Sequence, residues 1–138
     1  MVVISEFSQS FQIRLLPLLD CLLYPSESDL PIDFFCYNYS AGTPLTTQSL
    51  QLLFGMEFDS IVREREPSIF WSLVTTMQDW YAEEEQDRTN RFIEIKQMIE
   101  ANLIHIQYFE VGEIEVGLYL IGQAQDQIIG IKTMAVRT

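Results

Sequence analysis

Three short segments combine polar, acidic or aromatic side chains in patterns that the overall composition of the chain does not explain. They are the polar turn Ser26-Glu27-Ser28-Asp29, the segment Gln78-Asp79-Trp80-Tyr81 with two large aromatic rings, and the final run Ala135-Val136-Arg137-Thr138. Each has an ordinary structural explanation, because serines bond to backbone in turns, aromatic rings pack in cores and a final strand frays. The alternative is that their carboxylate, indole and hydroxyl groups face a partner.

A catalytic interpretation has little support in the residue pattern. The sequence contains no Gly-rich phosphate loop and no nucleophile elbow. Glu113 and Glu115 would lie on one strand face as an acid/base pair, but they alternate with apolar residues, which is typical of a solvated face. His105 and Cys21 are far apart in the sequence, and no third group completes a nucleophilic set. We therefore expect a protein that is not an enzyme.

The sequence also argues against a metal site or a cofactor. Its cysteines and histidine are Cys21, Cys36 and His105, whereas a structural zinc site of the usual kind needs four such ligands. Because the first residues lack the features of a secretory signal, we expect free thiols rather than a disulfide. We expect no metal of the protein's own and no cofactor.

The charge of the chain indicates what kind of partner it has. The formal charge is −12, from 20 acidic and 8 basic side chains. Nucleic acids and anionic membranes would be repelled over a screening length of about 8 Å at physiological salt, so neither is an expected partner. No apolar run approaches the length of a membrane span, which predicts a soluble, cytoplasmic protein. A basic partner fits this charge.

Helical spacing dominates the first part of the chain. Apolar residues at spacings of three and four predict a helix from Ser5 to Leu23, which Pro17 should kink or shorten. Prolines and serines in 24–31 indicate a loop, and the aromatic run Ile32–Tyr39 is typical of a strand. A short helix is predicted over Thr47–Phe54.

The middle of the chain contains the longest predicted helix. The stretch 57–65 has no clear preference, and a shorter helix is predicted to begin at Pro67 and end near Thr75. Thr76 and Asp79 resemble a capping box, which predicts that the longest helix begins there. Its apolar stripe consists of Phe92, Ile95, Ile99 and Leu103. Its first turns carry the acids Asp79, Glu83, Glu84, Glu85 and Asp87, which complement the helix dipole.

Three strand-like runs follow, and they indicate the fold class. They span His105–Val111, Glu113–Ile121 and Gln127–Val136, with Gly112 and the segment 122–126 as hairpin connections. Helices followed by an antiparallel meander predict an α+β or a layered α/β/α domain. The sequence shows no repeat and no flexible linker, so we expect a single domain over residues 1–138.

The three segments described first lie within longer runs that resemble the nuclease A inhibitor family, in the same order and at similar separations. These runs are LLYPSESD at 22–29, QDWYAEEE at 78–85, VGEIEVGLYLIG at 111–122, and the final stretch 130–138. The second and third runs are specific when they occur together. The resemblance covers most of the chain and is poorest between Tyr39 and Val74.

The resemblance implies a protein that binds and blocks a sugar-non-specific DNA/RNA endonuclease of the ββα-metal type. It also implies a three-layer α/β/α sandwich with a mainly antiparallel sheet, similar in layout to pathogenesis-related proteins. Carried over by position, the nuclease-binding residues are Glu27, Gln78, Trp80 and Thr138. Thr138 would approach the catalytic magnesium of the nuclease. Arg137 departs from the family pattern, in which an acid is expected at this position.

Electrostatics gives this implied role a physical basis. A nuclease active site attracts phosphate, so the same field would draw in an acidic protein. Glu27 would stand in for a phosphate oxygen, and oxygens of Thr138 would replace a water on the metal. Trp80 would supply an apolar anchor that charge cannot. The acids expected to support this contact are Asp29, Asp79, Glu83 and Glu84.

Two other functions stay open from the sequence. One is an acidic interaction or regulatory domain that has the same fold and binds a partner other than a nuclease. The other is a small-ligand carrier that uses a pocket between the sheet and the helices.

Overall fold

The computed structural model describes residues 5–26 and 29–137, which form four helices and seven strands. The helices are α1 (Glu6–Leu19), α2 (Thr47–Phe54), α3 (Pro67–Thr75) and α4 (Glu83–Asn102). The strands are β1 (Leu23–Tyr24), β2 (Leu30–Pro31), β3 (Asp33–Asn38), β4 (Val62–Arg65), β5 (Ile104–Val111), β6 (Glu115–Ala124) and β7 (Gln127–Val136).

The strands from β3 to β7 form one antiparallel sheet in the order β3-β7-β6-β5-β4, and β1 pairs with β2 separately. Gln125 and Asp126 join β6 to β7 with φ angles of 51° and 58°. Positive φ at both central residues is what a two-residue type I′ hairpin requires. The predicted α+β class is therefore confirmed, and the predictions for α2 and β7 are confirmed at both ends.

Side chains from the two faces of the sheet pack into two separate hydrophobic clusters, because successive strand residues point to opposite faces. The larger cluster joins α1, α3 and α4 to sheet positions such as Leu118 and Leu120. The smaller cluster joins Leu50 of α2 to Phe109 and Ile121. This distribution of helices supports the predicted three-layer arrangement, and the layering itself stays a prediction.

The longest helix, α4, begins at Glu83 rather than at the predicted Thr76. The Thr76 hydroxyl donates a hydrogen bond to the Ser72 carbonyl oxygen in α3 and does not cap a new helix. Residues 76–82 form a loop in which the Tyr81 amide donates to the Gln78 carbonyl oxygen. The predicted apolar stripe is confirmed, since all four of its residues are buried: Phe92, Ile95, Ile99 and Leu103.

The first helix, α1, runs through Pro17 and ends soon after it, before its predicted limit. Cys21 has a φ angle of 57°, a left-handed conformation that a continuing helix does not contain. The Arg91 guanidinium donates to the carbonyl oxygens of Leu18 and Asp20. These bonds satisfy acceptors at the end of α1, and they attach α1 to α4.

Three further segments differ from their predicted structure. The predicted loop 24–31 contains β2 and the end of β1, and β4 lies in the stretch 57–65 that has no clear preference. The connection after β6 is shorter than the predicted 122–126, because Gly122 stays within the strand. A side chain at Gly122 would collide with Leu103, so this glycine lets the end of α4 approach the sheet.

Candidate partner-binding site

Two of the predicted site residues, Gln78 and Trp80, lie together on the exposed loop between α3 and α4. The Trp80 side chain is 75% exposed, and its ring packs edge-on against Tyr81 with the ring centroids 4.7 Å apart. Tyr81 in turn lies beneath the Arg88 guanidinium, 5.8 Å from its ring centroid. A large aromatic side chain held on the surface in this way is typical of an interface anchor rather than of a core residue.

The other two predicted site residues, Glu27 and Thr138, lie outside the described residues. The segments that lead to them are in contact, because the Val136 amide donates a hydrogen bond to the Ser26 hydroxyl at 3.3 Å. The Thr133 hydroxyl also donates to the Pro31 carbonyl oxygen at 2.8 Å. The two segments are 110 residues apart in the sequence at the Ser26–Val136 contact, so the fold brings them together.

An open cleft of about 670 Å³ is lined by Asp29 of the polar turn and by residues at the beginning of α4. Asp29 precedes β2, whereas the other acids of the cleft belong to the first turns of α4. The complete lining consists of Cys21, Leu22, Leu23, Asp29, Glu83, Glu84, Glu85, Asp87, Arg88 and Arg91. Three of the four supporting acids predicted from the sequence line this cleft, and Asp79 is exposed on the neighbouring loop.

The cleft is acidic because its five carboxylates outnumber its two guanidinium groups. Both arginines also make contacts within the protein. Arg91 bonds to the end of α1, and its Nε lies 3.3 Å from a carboxylate oxygen of Asp87. Arg88 lies over the Tyr81 ring. The cleft and the Trp80 loop therefore combine an acidic surface with an exposed aromatic ring, because α4 begins directly after that loop.

A buried ion-pair cluster near the end of β7 was missed by the sequence analysis. Glu110 in β5 is only 4% exposed. Its carboxylate accepts hydrogen bonds from Arg137 at 2.8 Å, Tyr108 at 2.6 Å and Arg65 at 3.2 Å. The arginine that departs from the family pattern thus has a specific partner. The available signal was an acid on the same strand face as a buried tyrosine, since Tyr108 and Glu110 are two residues apart.

The ionisation of Glu110 follows from these contacts. Burial alone would raise the pKa of Glu110, but the hydrogen bonds from Arg137 and Tyr108 and the charges of Arg137 and Arg65 outweigh it. The pKa of Glu110 therefore lies below its ordinary value. Burial and the neighbouring carboxylate raise the pKa of Tyr108 far above its ordinary value, so its hydroxyl keeps the proton it donates.

Replacing Glu110 by glutamine is expected to lower the free energy of unfolding by about 2 kcal/mol at pH 7, because charged hydrogen bonds are lost. The difference in free energy of unfolding between the parent protein and Glu110→Gln should become smaller as the pH falls. The folded-state pKa of Glu110 lies below the unfolded value of about 4.3, so its ionised form stabilises the fold above that pH. This contribution is lost as the pH falls through the folded-state value. Urea unfolding at pH 7 and about pH 3 measures both differences.

The exposed Glu94 of α4 offers a matched control for this prediction. Glu94→Gln removes the same charge and should change the free energy of unfolding little at either pH. A deficit for Glu110→Gln that is equal at both pH values would contradict the role assigned to the ionised carboxylate.

The remaining candidates from the sequence have ordinary structural positions. Glu113 and Glu115 are both exposed, but the prediction that they share one face of a strand is wrong, because β6 begins at Glu115 and the intervening Ile114 is itself 61% exposed. His105 lies near the start of β5. Cys21 and Cys36 are free thiols. Within residues 5–26 and 29–137, no group of three or more His, Cys, Asp or Glu side chains is arranged to hold a metal ion. No helix in the same described part of the chain has the length and apolarity that crossing a membrane requires.

Comparison with known protein families agrees with the resemblance read from the sequence. The model of the nuclease A inhibitor-like protein family matches residues 9–138, nearly the whole chain. The chain therefore belongs to the nuclease A inhibitor-like family. Membership implies a nuclease inhibitor role in general, with a nuclease as partner. A search of curated proteins found no match.

Proposed function

We propose that this protein inhibits a magnesium-dependent, sugar-non-specific nuclease of the ββα-metal type by occluding its active site. The observation that carries the proposal is the contact between Ser26 and Val136. It joins the segment before Glu27 to the segment before Thr138. The acidic cleft is lined by Asp29, from the same turn as Glu27, and by the first turns of α4, which follows the Trp80 loop in the chain. We propose that the groups carried by these segments form one contact surface, whose chemistry a cationic, metal-containing active site would bind.

Each proposed contact has a distinct physical role. The Glu27 carboxylate occupies the position of a substrate phosphate oxygen, where basic groups of the nuclease bind it. The Thr138 hydroxyl is a hard oxygen ligand that can replace a water on magnesium. Gln78 supplies amide hydrogen bonds near Trp80, and the indole ring of Trp80 excludes water from the contact. The inhibitor itself performs no chemistry in this mechanism.

The acids around the cleft are proposed to steer the encounter. Asp29, Glu83 and Glu84 line the cleft, and Asp79 lies on the loop before α4, so these acids create a negative potential that attracts a basic partner. Electrostatic steering raises association rates by about 10 to 1000-fold and weakens with salt. The apolar contact made by Trp80 is screened far less, because it does not depend on charge.

Removing either proposed metal-site contact should weaken inhibition strongly. Glu27→Gln keeps the shape of the side chain but removes its charge, and we expect about thirtyfold weaker binding, or about 2 kcal/mol. A chain that ends at Arg137 should lose a comparable factor. Inhibition constants measured on DNA and RNA substrates test both variants, and thermal unfolding should show that both still fold.

The control for these variants is Glu94→Gln, because Glu94 is an exposed acid of α4 that does not line the cleft and is not among the proposed contacts. Glu115 is less suitable, because it pairs with Val136 at the end of β7. Glu94→Gln should leave inhibition nearly unchanged. If all three variants inhibit as well as the parent protein, the proposed contact residues are wrong.

The association rate with the nuclease should fall about tenfold between low and high salt, while the dissociation rate changes less. The reason is that screening shortens the reach of the acids but leaves a packed contact largely intact. Stopped-flow measurements at about 0.02 M and 0.5 M salt give both rates. An association rate that is independent of salt would contradict electrostatic steering.

A further inference from the structure

The last described residues, Val136 at the end of β7 and Arg137 directly after it, make more contacts than a chain end usually does, since chain ends tend to fray. The Val136 amide donates to the Ser26 hydroxyl at 3.3 Å. The Arg137 amide donates to the Ile114 carbonyl oxygen at 2.8 Å, and the Arg137 guanidinium donates to Glu110 at 2.8 Å. The backbone amide and the side chain of Arg137 are therefore both held by hydrogen bonds.

Glu110 is suited to hold this arginine because its own position is over-determined. It belongs to β5, an interior strand of the sheet, and its carboxylate also accepts hydrogen bonds from Tyr108 in the same strand and from Arg65 of β4. Strand β6 lies between β5 and β7, so the ion pair with Arg137 spans a strand. A nearly buried carboxylate with three donors cannot readily follow Arg137 outward if the end of β7 moves.

We propose that Glu110 is a positioning residue for nuclease inhibition, because its ion pair with Arg137 restrains the residue that immediately precedes Thr138. This inference rests on the proposed function, in which Thr138 contacts the metal site of the nuclease. A contact group that is already oriented loses less conformational freedom on binding, so pre-organisation strengthens binding without adding any contact. Glu110 itself touches no atom of the nuclease in this arrangement.

Hydrogen exchange in the free protein tests the clamp without any nuclease. In Glu110→Gln we expect the Arg137 amide to exchange at least about tenfold faster relative to the Ile131 amide in the middle of β7. A loss of global stability alone would accelerate both amides together. Arg137→Gln removes the other partner on a half-exposed side chain and should give the same local change. Glu94→Gln should give none. Unchanged relative exchange in both clamp variants would overturn the inference.

Binding measurements then test whether the clamp acts through Thr138. In the full chain, Glu110→Gln should weaken inhibition of the nuclease about tenfold. In the chain that ends at Arg137, the same substitution should cause no further loss, because the residue it orients is absent. An equal loss in both backgrounds would show that Glu110 acts in another way, and the inference would then be wrong.

The proposed function and the positioning role of Glu110 can be refuted separately. A parent protein that inhibits no nuclease of this type refutes the proposed function and, with it, the positioning role of Glu110. A parent protein that inhibits, and is weakened by loss of Thr138, but shows an equal effect of Glu110→Gln in both backgrounds, refutes the positioning role alone.

Discussion

Replacing Trp80 by alanine is expected to weaken nuclease binding about a hundredfold, about 2.7 kcal/mol, while leaving the stability of the free protein nearly unchanged. The indole ring is 75% exposed and packs against Tyr81 on a loop, so its removal leaves no cavity in the core. In a complex the same ring would be buried against the partner. Isothermal titration with the nuclease and urea unfolding of the free variant measure the two effects separately.

Phe58 provides a matched control for this prediction. Its side chain is 99% exposed in the connection between α2 and β4, outside the proposed site. Phe58→Ala removes a comparable aromatic surface and should leave binding unchanged. Equal effects of the two substitutions, or a Trp80→Ala variant that binds normally, would contradict the role of the α3–α4 loop as the apolar anchor.

Replacing Gly130 by alanine is expected to destabilise the fold by about 3 kcal/mol or to prevent folding. Gly130 lies in β7 between Phe35 of β3 and Ile121 of β6. An added methyl group would overlap the Leu120 carbonyl oxygen and the Phe35 ring. Backbone in the middle of a sheet cannot move aside without breaking the hydrogen bonds of three strands. Urea unfolding measures the loss.

Gly117 in the neighbouring strand offers the comparison. A methyl group there would lie 3.0 Å from the Tyr119 ring, which is a side chain that can shift. Gly117→Ala should therefore cost clearly less than Gly130→Ala. Similar losses for the two variants would indicate that glycine removal itself, rather than the close approach at Gly130, determines the effect.

The sequence predicts best the elements whose boundaries are defined by local signals. Helix α2 and strand β7 agree with prediction at both ends, because capping, turn residues and apolar spacing all indicate the same boundaries. The predicted start of α4 was wrong. Thr76 could either cap a new helix or bond back to the helix before it, and in the structure its hydroxyl donates to the Ser72 carbonyl oxygen of α3. Strands β1 and β2 are two residues long, so only their pairing in the folded chain defines them.

In the candidate site, too, the sequence indicates individual residues but not the contacts between distant segments. Gln78 and Trp80 were found through the family resemblance, but whether Trp80 is buried or exposed depends on where the loop lies in the folded chain. The adjacency of Ser26 and Val136 and the ion pair of Glu110 with Arg137 join segments that are distant in the sequence. No local pattern predicts such contacts. The ion pair depends on the order of strands in the sheet, and the Ser26 contact depends on how the β1–β2 connection packs against the end of β7.

The most direct measurement of the proposed function is a titration of a magnesium-dependent, sugar-non-specific nuclease with this protein, with DNA and RNA degradation followed in parallel. Because occlusion of the active site blocks both substrates, the two activities should fall together and approach zero once the protein is in excess. Undiminished degradation of both substrates, or inhibition of one while the other is degraded at the full rate, would contradict it.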